Sequence, residues 1–184
     1  MNTEDYILVR INTITFEDFF NLIKLNESYI EKGFAGTVRR CATKEGAKEL
    51  FDEWISEENK GNTYSFFIKY VETNNLVGLV NIQNVNNEVK KCELGYFISQ
   101  QATGKGIVTG LTKQVVTFCF ESLQMNKVLL RISPENIGSQ KVALKLKFKQ
   151  EGILREEYLG YNNKYEDLVY FGMLKSEYLN LQND

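Results

Sequence analysis

"CELGYFISQQATGKGIVTGL", residues 92–111, decides how the rest of the chain is read. A short alternating run, Cys92 to Ile98, passes through a glycine-rich turn into apolar residues at helical spacing. Gly104 and Gly106 flank Lys105 at this strand-to-helix junction. Glycines there let backbone amides approach a ligand closely, and the helix adds the positive end of its dipole, so the expected guest is an anion, phosphate first. Two familiar phosphate loops fail on spacing. A P-loop needs Ser or Thr directly after Gly-Lys, where Gly106 stands, and Gly104, Gly106 and Gly110 are one residue out of step with the dinucleotide fingerprint. ATP and NAD are therefore disfavoured.

The 184 residues are 43% hydrophobic and 25% charged, which predicts one domain over residues 1–184 with a real core. MNTEDYILVR lacks the regions of a signal peptide and no apolar run is long enough to span a membrane, so the expectation is a soluble, cytoplasmic protein without a membrane partner. A net charge of -2 without a basic stripe argues against nucleic acid. Cys41, Cys92 and Cys119 are far apart and lack CxxC spacing, so they read as buried reduced thiols, with no metal site expected. Histidine is absent altogether, which removes Ser-His-Asp and Cys-His catalysis and leaves proton transfer to Glu, Asp, Tyr, Lys, Cys or water.

Working outward, Ile7 to Ile11 predicts a strand. A helix starts at the capping pattern Thr15-Phe-Glu-Asp18, with Phe19, Phe20, Ile23 and Leu25 as its apolar residues. A second helix is predicted over Lys44 to Glu58, with Ala47, Leu50, Phe51, Trp54 and Ile55 on one face. Tyr64 to Tyr70, Leu76 to Val85 and Cys92 to Ile98 then read as an antiparallel meander. The helix leaving the glycine loop runs to about Leu123 and crosses over to a strand at Lys127 to Ile132. Ser133-Pro134 stops that strand, and Asn136 caps a helix of Ile137 to Lys147. Two strands, about Gln150 to Tyr158 and Glu166 to Lys175, flank the turn Gly160-Tyr-Asn-Asn163. The predicted class is a mixed α/β (α+β) fold, one sheet with helices packed on it.

Three segments carry a resemblance: "CELGYFISQQATGKGIVT", "ISPENIGSQKVALKLKF" and "LREEYLGYNNKYEDLVYF". Together, over about Val77 to Tyr178, they resemble the GCN5-related N-acetyltransferases (GNAT), most closely the RimJ/RimL branch that includes ribosomal-protein N-terminal acetyltransferases. The family's pyrophosphate pattern, Gln/Arg-x-x-Gly-x-Gly/Ala, is met by Gln101-Ala102-Thr103-Gly104-Lys105-Gly106. The resemblance implies a GNAT fold, a mostly antiparallel sheet of about seven strands, splayed between those at 92–98 and 127–132. It further implies acetyl-CoA as cosubstrate, with the loop and Ile107 at its phosphates, and a backbone amide of Phe97 or Ile98 meeting the thioester oxygen. Asn136 and Ser139 match the family's Asn-x-x-Ser helix start, so Asn136 would reach the pantetheine and Ser139 lie near the sulfur, although an ordinary N-cap and a plain first-turn serine are the simpler readings.

An ammonium acceptor must lose a proton, and a carboxylate directly or through water can take it. Glu157 matches the position of the proposed base in the RimL-like branch and stands first. Glu156 alternates to the other strand face as a control. Glu93 is the second candidate, with a structural acid as its simpler reading. Ser139, or less favourably Tyr158, would protonate the leaving thiolate. Tyr158, Tyr161, Tyr165 and Tyr170 could line an acceptor slot or simply pack between strands. The leading expectation is acetyl transfer to a protein N-terminus. The alternatives are a small amine (polyamine, amino acid or antibiotic) and a noncatalytic acyl-CoA sensor. Oligomeric state is not readable from the sequence, although relatives of this kind are often homodimers.

Overall fold

Alternating strands need one covered face or two, and in the computed structural model, which describes residues 5–183, both faces are covered over much of the sheet. The order is β1 (Tyr6–Arg10), α1 (Phe16–Ile30), α2 (Ala35–Arg40), α3 (Lys44–Asn59), β2 (Tyr64–Tyr70), β3 (Leu76–Asn86), β4 (Lys91–Ile98), α4 (Ile107–Glu121), β5 (Lys127–Ile132), α5 (Ile137–Lys145), β6 (Lys149–Leu159), β7 (Tyr165–Leu174) and α6 (Lys175–Asn183). Seven strands lie in the order β1-β2-β3-β4-β5-β7-β6. Among the described residues only β4 and β5 run parallel, because α4 crosses between them. This is the mixed α/β, mostly antiparallel sheet that the sequence predicts.

One face, including Ile68, Val80, Leu94, Val128 and Phe171, packs on α4 residues such as Leu111 and Val115. The other places Phe67, Leu79 and Phe97 against Phe19, Leu22 and Phe51 of α1 and α3. The predicted capping box is present: the Asp18 amide donates to the Thr15 hydroxyl, and the Asp18 carboxylate accepts from the Thr15 amide. Leu25, expected in the apolar stripe of α1, is instead 85% exposed. A 3.6-residue period from Phe19 runs through Leu22, Ile23, Asn26 and Ile30, which are the buried positions, and leaves Leu25 on the far side. Asn26 is tolerated there because its amide donates to the Leu22 carbonyl at 2.8 Å.

Two helices had no predicted counterpart. The short α2 has no side-chain cap and follows the turn after α1. The last predicted strand continues into α6, whose carboxylate Glu177 accepts from the Leu174 amide at the switch from strand to helix. Among the described residues, no helix is long and apolar enough to cross a membrane.

Replacing Phe19, fully buried against Phe51, Trp54 and Phe67, with alanine is expected to lower the free energy of unfolding by about 3–5 kcal/mol. Leu25→Ala should stay within about 0.5 kcal/mol, both read from urea titrations. Cys41, Cys92 and Cys119 are all buried and free, and burial pushes the Cys41 thiol up to about 11. Because this lies above the unfolded value of about 8.5, the contribution to stability is present below that value and lost as pH rises through about 11. At pH 8 the native protein should resist thiol alkylation, while urea exposes all three cysteines, counted by mass spectrometry.

Candidate active-site cleft

Pairing of β4 with β5 begins at Lys91 with Lys127 and ends at Leu94 with Leu130. Beyond that point β4 remains on β3, as far as Ile98 with Gly78, and β5 remains on β7, as far as Ile132 with Val169. The strands therefore part on the C-terminal side of the parallel pair, where a cleft of about 830 Å³ opens. Its lining includes Phe97, Ile98, Gly104, Gly106, Asn136 and Ser139.

The glycine loop forms one end. Ser99 and Ala102 turn the chain through a short 3-10 segment, with the Ala102 amide donating to the Ser99 carbonyl at 2.8 Å. Gly104 and Gly106 have φ of 76° and 77°, and a Cβ at either would meet nothing within 4 Å. Conformation, not space, demands glycine at both. Gly106 is the N-cap of α4 and no side chain caps the helix, so its first amides face the loop without intrahelical partners. This uncapped, open turn at a helix N-terminus fits a phosphate group. Ala102, Thr103, Ile107 and Val108 also line the cleft. Gln101 and Lys105 are exposed outside that lining, and Lys105 Nζ donates to the Gln101 carbonyl at 3.1 Å.

Asn136 caps α5: its Oδ1 accepts from the Ser139 amide at 3.0 Å. Ser139 is half-buried on the cleft wall, and its carbonyl accepts from the Tyr96 hydroxyl at 3.0 Å, tying β4 to α5 across the gap. Burial of Tyr96 raises its pKa, against a smaller lowering from the Ser139 side chain.

Glu93 lies in the lining and is only 8% exposed. Its Oε1 accepts from Gln83 Nε2 at 2.9 Å and its Oε2 from Asn84 Nδ2 at 3.0 Å. Arg131 Nε stands 2.8 Å from Oε1 but out of line for a hydrogen bond, so that contact is ionic. Burial lowers the Arg131 pKa, and Glu93 with Tyr170 more than offsets this, so the cation is held.

Glu157 is exposed and outside the lining. It accepts from the Tyr170 hydroxyl at 2.6 Å and lies 3.6 Å from Arg131. Arg131 thus stands between the two carboxylates. The expected alternation of Glu156 and Glu157 fails, because β6 takes two extra residues between Leu154, opposite Leu168, and Tyr158, opposite Glu166. Glu156 adopts φ 53° and its amide donates to Asp167. The same bulge puts Tyr158 in the lining, where its hydroxyl accepts from the Ala35 amide at 2.9 Å. Burial raises the Tyr158 pKa. Of the expected tyrosine slot only Tyr158 contributes, since Tyr161 and Tyr165 are exposed and Tyr170 holds Glu157.

Sequence reading missed Arg131, Asn81 and Gln83. A signal was there: Asn81 and Gln83 recur at period two in "LVNIQ", and Lys127 and Arg131 share one face of "KVLLRI" with Leu129 between them. Among the described residues, no group of three or more His, Cys, Asp or Glu could hold a metal ion.

Comparison with known proteins bears on the family and the fold. The family model described as "Acetyltransferase (GNAT) domain" matches residues 8–149. A protein of Bacillus subtilis, "Putative ribosomal N-acetyltransferase YdaF", is 34% identical over 103 residues, 56% of each chain, so the match spans about half of that relative. A spermidine N(1)-acetyltransferase of Vibrio cholerae is 30% identical over 135 residues, 72% of this chain and 78% of that one. The crystal structure of a ribosomal-protein-S5-alanine acetyltransferase from Vibrio fischeri superposes with a TM-score of 0.82 at 17% identity, over 96% of this chain and 97% of that one, a likeness of fold.

Gly106→Ala is expected to destabilise by about 1–2 kcal/mol through its left-handed backbone despite the open space around it. Gly138→Ala, inside α5 with only an ordinary contact, should stabilise by up to about 1 kcal/mol. Thermal unfolding of the pair separates conformation from crowding.

Proposed function

We propose that this chain, which belongs to the GNAT acetyltransferase family, moves the acetyl group of acetyl-CoA to a primary amine, and that the amine is the amino terminus of a protein. The observation that carries the reading is the meeting, in one cleft, of an uncapped glycine turn with a gap between parallel strands. A ribosomal acceptor in the name of the YdaF relative supports the protein N-terminus. The spermidine acetyltransferase relative supports a second reading, a polyamine acceptor.

In this reading the Gly104–Ile107 turn and the first amides of α4 hold the phosphates, with Gln101, Ala102, Thr103 and Lys105 shaping the loop. Asn136 orients the pantetheine arm while its Oδ1 keeps the α5 cap. Acetyl-CoA supplies the activated acyl carbon. A backbone amide of Phe97 or Ile98 stabilises charge developing on the carbonyl oxygen. Glu93 takes the proton that the amine loses, through water, since its two hydrogen bonds fill two of the about four acceptor sites of a carboxylate. Glu157, from behind Arg131, holds the cation and Tyr170 in place. As the amine nitrogen bonds to the acyl carbon, the carbon–sulfur bond breaks with its electrons on sulfur, and the Ser139 hydroxyl relays a proton there while taking one from water.

Calorimetry should find acetyl-CoA binding by the native chain, abolished in a Gly104→Asp, Gly106→Asp variant that sets carboxylates where phosphates would lie. With peptide acceptors, Glu93→Gln should lower kcat by about 100-fold or more, and Glu157→Gln by less. A larger loss in Glu157→Gln would transfer the role of base to Glu157. Binding without turnover on any amine would leave an acyl-CoA sensor.

A further inference from the structure

The glycine turn takes one end of the cleft and the gap between β4 and β5 its middle, so in the acetyl-transfer reading the amine meets the thioester from the remaining end. The turn between α1 and α2 walls that end and faces the last hairpin across it. Gly33 and Gly36 line the wall, and a Cβ at either would meet nothing within 4 Å, so little packing holds the chain at those two points. Phe34, between them, is half-buried: its ring meets Phe97 edge-on at 5.1 Å and lies 3.6 Å from where a Cβ on Gly95 would come. It therefore rests on the part of β4 that has already left β5.

α2 begins directly after this ring. Its first amides have no intrahelical carbonyls to reach, and no side chain at the N-cap position accepts from them. Ala35 is fully buried, so its amide needs a partner inside the protein, and the partner comes from across the cleft: the Tyr158 hydroxyl accepts from it at 2.9 Å. The bulge in β6 aims Tyr158 at this amide. Two further ties cross the cleft from exposed side chains, Arg39 Nη1 to the Gly160 carbonyl at 3.3 Å and Lys32 to Glu135 at 3.8 Å. Water can replace either of those, whereas Tyr158 holds a buried group.

We infer that Tyr158 is a positioning residue for the acceptor end: by capping α2 from the far hairpin it seats Phe34 on Phe97 and fixes the α1–α2 turn as one wall of the amine's slot. The inference rests on the acetyl-transfer reading above. It gives Tyr158 a role distinct from protonating the thiolate, because its oxygen is used here as an acceptor.

The test uses the full chain as native protein, Tyr158→Phe and Arg39→Met. Initial rates are taken at saturating acetyl-CoA with an alanine-initiated hexapeptide and with spermidine, acetyl-CoA binding is measured by calorimetry, and amide exchange is followed by mass spectrometry. For whichever amine the native chain acetylates faster, Tyr158→Phe should raise KM about tenfold and leave kcat and the acetyl-CoA Kd within about twofold. Exchange over residues 34–38 should quicken about tenfold while β3, β4 and β5 keep their protection, a local loosening that general destabilisation would not produce. Arg39→Met, at an exposed position that does not threaten folding, should raise the same KM by less. A fall in kcat with the amine KM unchanged overturns the inference and makes Tyr158 a proton donor. An unmoved KM with unmoved exchange at residues 34–38 overturns it too, while leaving acetyl transfer intact. A native chain that binds acetyl-CoA yet acetylates neither amine overturns both.

Discussion

The site depends on where one pair of parallel strands lets go. β4 and β5 each have a second partner, β3 and β7, and these pairings persist after Leu94 and Leu130 separate. Sheet twist does the rest, since strands held on opposite sides rotate apart once their mutual ladder ends. The Tyr96 hydroxyl reaches the Ser139 carbonyl across the gap, and α4 and α5 both start at its mouth with their amide-bearing ends. A cleft with donors at its rim follows directly from the end of a ladder.

The floor of that cleft is the polar end of an otherwise apolar sheet face. Along it Phe67, Leu79 and Phe97 give way to Ser65, Asn81 and Gly95, and then to Gln83 and Glu93. Burying Glu93 is tolerable because Arg131 supplies charge while Gln83 and Asn84 supply hydrogen bonds. Glu157 and Tyr170 anchor the arginine from the other side. The result is a rigid chain of contacts running from β3 through β5 to the last hairpin.

Legibility in the sequence followed the range of the interaction. The strands at Tyr64–Tyr70 and Lys127–Ile132 end where the sequence says, between Asn62-Thr63 and Thr73 in one case and before Pro134 in the other, because turn chemistry is local. The left-handed glycines of the loop were legible for the same reason. The six-residue α2 was not, having no side-chain cap of its own. Nor was the bulge in β6, which moves Tyr158 into the cleft and leaves Glu157 outside, because such an insertion shows only against the register of β7. Arg131 takes its significance from Glu93 and Glu157, and neither contact is local in the chain.

The hydrogen bond from the Ala35 amide to Tyr158 joins residues 123 positions apart. It also joins the two ends of the cleft wall in time. During synthesis, β1 through β4 and the glycine loop are available well before β6, so a growing chain has one end of the cleft early and the β6 part of its wall late. Contacts of such separation form late, since the loop they close must first lose its freedom. A chain still being made would therefore have an incomplete cleft until its last hairpin folds back onto the turn after α1.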